Sequence, residues 1–171
     1  MRGFLLEGVD GSGKTTLKDE LIAEIKLLNP TMRIKYFHNG VYPSSDEALD
    51  AYLKQLEEAK NYDAVIWDRA HLSSYVYGAI FHADIPTHQK YQFVDARFAE
   101  TTVLIHCKPP YMDAKANWMS RPHAELLDDK NHHRAVYDMF DYACQESVLK
   151  RISYDYTQIN AGVVKAIAAI V

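Results

Sequence analysis

Between Gly8 and Thr15 the chain reads Gly-Val-Asp-Gly-Ser-Gly-Lys-Thr, which fits the spacing G-x-x-x-x-G-K-[ST]. Small residues at Gly8, Gly11 and Gly13 let backbone N–H groups curl around a phosphate without interference from Cβ atoms. A helix starting at Lys14 would aim its positive dipole end at the same anion. Lys14 can then reach β- and γ-phosphates, and the Thr15 hydroxyl can ligate Mg2+. Ser12 and Thr16 complete the set expected to face the phosphates. The chemistry is that of a nucleoside triphosphate, ATP by default, bound with Mg2+. Only 7 glycines occur in 171 residues, so three within six positions mark where the backbone must do something special.

A second constellation follows the apolar run Ala64-Val65-Ile66-Trp67. It is Asp68-Arg69. A carboxylate at the end of a buried strand is placed to hold Mg2+ or its water. The planar fork of Arg69 suits a phosphate held in two contacts.

These residues need elements to position them. Phe4-Leu5-Leu6 reads as a strand buried on both faces. Leu17, Leu21, Ile25 and Leu28 recur at helical spacing over 14–28, and Asn29-Pro30 ends that helix. A second strand is predicted over 32–38. Ser44 and Glu47 match a capping box, ahead of a helix with Leu49, Tyr52, Leu53 and Leu56 on one face. The third strand closes on Asp68. Helices over about 70–82 and 86–99 follow, then a strand from Thr101 to Cys107, broken by Pro109-Pro110. Helices near 111–119 and 132–150 flank a polar stretch, 120–131. A fifth strand is expected over 152–159, before a final apolar helix. Strands alternating with helices predict an α/β fold: a five-stranded parallel sheet with helices on both faces, in one domain over 1–171. Ligands of such sheets bind beyond the carboxyl ends of the strands.

Leu-Glu-Gly-Val-Asp-Gly-Ser-Gly-Lys-Thr-Thr at 6–16, and Asp68-Arg69 followed by Ser73, Ser74 and Tyr77, resemble the motifs of thymidylate kinases. The resemblance implies a P-loop NTPase three-layer sandwich with a short lid over about 120–131. It implies transfer of the γ-phosphoryl of ATP to a deoxynucleoside 5′-monophosphate, with dTMP the first acceptor to consider. Asp10 would sit near the acceptor sugar and phosphate, Arg69 would bind the acceptor phosphate, and Tyr77 would lie against the deoxyribose and exclude a 2′-hydroxyl. Gly11 resembles the family variant that keeps its basic residues in the lid. Arg121 is then the expected lid arginine, with Lys115 and Arg134 in reserve. Members of that family are commonly dimers, and Val76, Ile80 and Phe81 could serve an interface or face the core.

The sequence also departs from that family. After the second strand it reads His38-Asn39-Gly40-Val41-Tyr42-Pro43, without an arginine, and none occurs between Arg33 and Arg69. Phe37, Tyr42 and Tyr52 are the candidates to stack on the base. His38 is read as a strand-end histidine, with a hydrogen bond to the acceptor as the alternative. His132-His133 reads as a helix start, since no metal-ligand spacing accompanies it. A deoxynucleoside kinase is the main rival. It must deprotonate a hydroxyl and so needs a general base. The related family places a Glu after the second strand, whereas His38-Asn39 here offers no carboxylate.

Net charge is −4, with 19 basic against 23 acidic residues. That balance argues against a nucleic-acid polymer as partner. Cys107 and Cys144 form no CxxC pair, so neither a disulfide framework nor zinc is expected. No apolar run approaches a membrane span, and a reducing cytoplasm is the expected setting.

Overall fold

The computed structural model describes residues 2–40, 42–81, 87–120, 130–158 and 161–170. Its sheet is built from β1 (Arg2–Glu7), β2 (Ile34–His38), β3 (Ala64–Asp68), β4 (Thr102–Cys107) and β5 (Arg151–Tyr154). The spatial order is β2-β3-β1-β4-β5, and every neighbouring pair is parallel. β1 is therefore central, and its apolar run has no polar alternation because both faces are covered. Leu6 sits opposite Asp68 on one side and Ile105 on the other.

Helices close both faces. On one, Leu17, Leu21 and Ile25 of α1 (Lys14–Leu28) and Val164 and Ile167 of α7 (Ala161–Ala168) pack on Phe4, Leu6 and Ile66. On the other lie α2 (Ser45–Ala59), α3 (His71–Phe81), α4 (His88–Ala99), α5 (Tyr111–Met119) and α6 (Lys130–Glu146), over Leu5, Val65 and Trp67. This is the expected three-layer α/β sandwich. Among the described residues no helix is long and apolar enough to cross a membrane.

The capping box is present in part: Ser44 Oγ accepts from the Glu47 N–H at 3.2 Å. Two boundaries differ most from expectation. The fifth strand stops at Tyr154, because Asp155 Oδ1 accepts from both the N–H and the hydroxyl of Thr157 and so starts a single 3₁₀ turn over Tyr156–Gln158. The long helix stops at Glu146, because the buried Asp95 carboxylate captures the Ser147 hydroxyl (2.7 Å) and the Val148 N–H (2.8 Å). Asp95 also pairs with the fully buried His71 at 2.7 Å, joining α3, α4 and the end of α6. Val76 is buried, Ile80 is partly buried against the core, and Phe81 is exposed. Cys107 and Cys144 are buried free thiols, and burial pushes Cys107 up to about 12.

Candidate active site

The turn leaving β1 is set by glycine. Gly11 and Gly13 have φ of 85° and 88°, in the left-handed region. A Cβ on Gly11 would also overlap the Ala114 carbonyl, so α5 packs directly on the loop. The Ser12 N–H donates to the Val9 carbonyl at 3.2 Å, closing the turn. Lys14 opens α1, yet its side chain curls back and caps the hollow: Nζ donates to the Gly8 carbonyl (2.8 Å), the Val9 carbonyl (3.0 Å) and Ser12 Oγ (3.4 Å). Burial, and then the nearby Arg69 guanidinium, lower its ammonium to about 8. Thr15 and Thr16 stand exposed on the first turn.

Arg69 is the described non-glycine residue with positive φ, at 70°. A side chain held there is strained, and such strain persists only where the surroundings over-determine it. Here they do. The Arg69 N–H donates to the Leu6 carbonyl (3.0 Å), and its carbonyl accepts from Asn39 Nδ2 (2.7 Å). One arm of the guanidinium donates to the Gly8 carbonyl and Ser73 Oγ, both at 3.3 Å. The other pairs with the Asp10 carboxylate. Its plane lies 5.2 Å from the centroid of the Tyr77 ring, whose hydroxyl donates to Asp10 at 3.3 Å. Asp10, Arg69 and Tyr77 therefore form one cluster joining the phosphate loop to α3.

Glu7 supports that cluster from below. Fully buried, it accepts from the Ala70 N–H (2.8 Å), the Ser73 N–H (3.3 Å) and the Ser73 hydroxyl (2.5 Å), satisfying orphan donors at the start of α3. Burial raises its pKa, though Ser73 and Ala70 oppose the rise. At the end of β3, Asp68 Oδ2 accepts from the Tyr36 hydroxyl at 3.0 Å and lies 3.3 Å from His38 Nδ1. Its Oδ1 is buried without a hydrogen-bond partner. An orphaned carboxylate oxygen beside a phosphate loop is a fit for a hard cation.

A cavity of about 340 Å³ opens from this cluster between α2 and α3. Its inner end carries Asp10, Arg69, Ser73 and Tyr77. Tyr42 and Tyr52 wall the far end at right angles, 5.5 Å apart, while Tyr77 and Phe81 stack at 6.2 Å. Tyr52 and Ser74 share a 2.7 Å hydrogen bond there. Behind the wall, buried Asn39 accepts from Tyr42 (2.8 Å) and Gln55 (2.7 Å).

The sequence-derived residues therefore fall into groups. Gly8, Asp10, Gly11, Ser12, Gly13, Lys14, Thr15, Asp68, Arg69, Ser73, Ser74 and Tyr77 gather at the carboxyl ends of β1 and β3 and along α3. Phe37 does not line the cavity: strand parity turns its ring onto Trp67, stacked at 5.8 Å, while Tyr42 and Tyr52 do line it. His38 lines the rim. Arg121 lies outside the described residues, as do residues 121–129 of the lid expected over about 120–131. Of the reserves, Arg134 is exposed and paired with Asp138, and Lys115 sits 5.9 Å from the Tyr111 ring centroid. Glu7, Asn39 and Gln55 were not singled out by sequence; Glu7 stood inside the quoted 6–16 motif, one place before Gly8.

No protein-family model matches the sequence, and no curated protein matches it significantly. Solved structures do match. YorR protein from Bacillus subtilis, in complex with phosphorylated GDP, superimposes with a TM-score of 0.78 at 17% identity, over 98% of this chain and 94% of that one. Deoxyadenosine kinase from M. mycoides superimposes with a TM-score of 0.61 at 16% identity, over 98% and 97%, both with the products dCMP and dCDP and with dATP bound. At such identities the likeness establishes the fold alone, the five-stranded parallel sheet between helical layers.

Proposed function

We propose that the protein transfers the γ-phosphoryl of ATP to the 5′-phosphate of a deoxynucleoside monophosphate, dTMP being the first acceptor to test. One observation carries this reading: Asp10 of the phosphate loop and Arg69, which donates to the Gly8 carbonyl of that loop, both line the inner end of the cavity. A phosphate in the loop and a phosphate on Arg69 would be neighbours. The P-loop kinase likeness and the nucleotide ligands of the matched proteins support it.

In this reading an acceptor phosphate oxygen attacks the γ-phosphorus, the bond from that phosphorus to the β–γ bridging oxygen breaks, and ADP leaves. The acceptor oxygen is already anionic, so no proton needs removing. Lys14 leaves the Gly8 and Val9 carbonyls to meet the β- and γ-oxygens, and the loop amides and the start of α1 hold the rest of the chain of phosphates. Arg69 orients the acceptor phosphate, and Asp10 holds the guanidinium in place. The Tyr77 ring packs against the sugar, and the aromatic walls with Ser74 take the base. Thr15 and Asp68 would hold Mg2+, which supplies charge neutralisation between the phosphates. Arg121 remains the proposed lid arginine.

A nucleoside kinase would need a free base near the 5′-hydroxyl. Among the described cavity residues Asp10 is the carboxylate, and it is engaged by Arg69 and Tyr77. The test is ADP release with Mg2+ and ATP, run against the four deoxynucleoside monophosphates and the four deoxynucleosides. Turnover with a monophosphate is expected. Turnover with nucleosides alone, or with none of the eight, would overturn the reading.

A further inference from the structure

Two residues far along the chain hold the phosphate loop by its backbone. Asn117 Nδ2, on α5, donates to the Gly11 carbonyl at 2.8 Å. His133 Nε2, on α6, donates to the Asp10 carbonyl at 2.9 Å. The acceptors are consecutive. In a trans peptide each carbonyl is anti to the N–H of the next residue, and the described chain contains no cis bond. Fixing the Asp10 carbonyl therefore aims the Gly11 N–H away from α6. Fixing the Gly11 carbonyl sets the plane whose N–H, on Ser12, closes the turn to Val9.

His133 is built for this task. It is fully buried and stacks on Trp118 at 4.7 Å, with the Tyr111 ring 5.8 Å away. A carbonyl acceptor demands a proton on Nε2, which settles the tautomer. Burial lowers its pKa, so the ring stays neutral and adds no charge beside the ATP phosphates. Nδ1 is left buried without a partner, an expense that a packing-only residue such as Phe would avoid.

We propose that Asn117 and His133 are positioning residues of the phosphate loop, which pin two successive peptide planes so that the loop is preorganised for ATP before ATP arrives. This rests on reading the loop as the ATP site, and not on the identity of the acceptor. Preorganisation should appear in donor affinity, because neither residue lines the acceptor cavity.

The experiment measures Mg·ADP affinity by calorimetry, and KM for each substrate, in His133→Phe, His133→Gln and Asn117→Ala. Phe retains a ring to stack on Trp118 and deletes the donor; Gln restores an amide donor. The expected result is a five- to tenfold weaker ADP affinity and a matching rise in KM for ATP in His133→Phe and Asn117→Ala, about the effect of one lost hydrogen bond. The acceptor KM should stay unchanged, and His133→Gln should recover most of the affinity. Wild-type ADP affinity in a folded His133→Phe or in Asn117→Ala, or equal rises in both KM values, overturns the proposal. Should His133→Phe not fold, Asn117→Ala decides alone. Wild-type protein that binds no ADP sinks the ATP reading itself; protein that binds ADP but uses no monophosphate sinks only the acceptor reading, and the affinity measurements still stand.

Discussion

Lys14 gives the sharpest test of what nucleotide binding would change in the loop. Its Nζ sits among carbonyl oxygens inside the turn, and burial and Arg69 lower it from an ordinary 10.5 to about 8. A triphosphate or diphosphate replaces those carbonyls with full negative charge, which returns the amine toward its ordinary value. Binding must then draw a proton onto the protein wherever free Lys14 is neutral. Between pH 7 and pH 9 the charged share of the free enzyme falls from about nine-tenths to about one-tenth, so nucleotide affinity should fall about tenfold. Titrating Mg·ADP in two buffers of different ionisation enthalpy reads the uptake directly. It should be near zero at pH 7 and close to one proton at pH 9. The folded protein alone carries the opposite signature. A lysine lowered to about 8 weakens the fold by about 3 kcal/mol while charged, and that penalty is relieved as pH rises from about 8 toward 10.5. Flat ADP affinity with no proton uptake at pH 9 would refute the argument. Lys14→Ala should bind weakly, lose phosphoryl transfer and show no pH dependence across this window.

Arg69→Ala should lower kcat/KM for the acceptor about 10- to 100-fold, the value of a charge-assisted contact, with a smaller change in KM for ATP; steady-state kinetics varying each substrate checks it. Tyr77→Ala should reduce the preference for deoxyribo- over ribonucleotides, whereas Tyr77→Phe keeps the ring and the preference; equal preference in Tyr77→Ala and wild type removes the sugar-gating role. Glu7 has a raised pKa in the folded state, so its contribution to stability is fullest below its unfolded value and is lost as pH rises through the raised one. Glu7→Gln retains an acceptor for the Ala70 and Ser73 N–H groups and cannot ionise. Urea unfolding should show wild type losing ground to Glu7→Gln as pH rises above the ordinary carboxylate value of 4.5.

The parts legible in the sequence are those whose partners are close in sequence or fixed by parity. The glycine-shaped turn between β1 and α1 was legible because three glycines, a lysine and a strand-to-helix junction coincide within a few residues. Asp68-Arg69 was legible because an apolar run ends there, at the edge where such sheets bind ligands. Phe37 shows the limit. Its type suits stacking on a base, but its register opposite Trp67 decides where the ring goes, and register is a property of two strands. Asn117 and His133 gave no signal, since what they bond is backbone, which carries no sequence letter. Glu7 was visible as a letter without a task until α3 supplied its unpaired N–H groups. The Asp155–Thr157 turn was readable from local chemistry; the fifth strand was extended past it.

The central position of β1 has a consequence for how the protein is made. β1 is made before both of its sheet neighbours, which are β3, from residue 64, and β4, from residue 102. The carbonyls of its loop wait for Asn117 and His133, 106 and 123 positions downstream. The glycine loop is thus made long before the residues that pin its backbone. The sheet is built from non-local pairings, which slows the search, and the two contacts that pin the loop form only once α5 and α6 have docked.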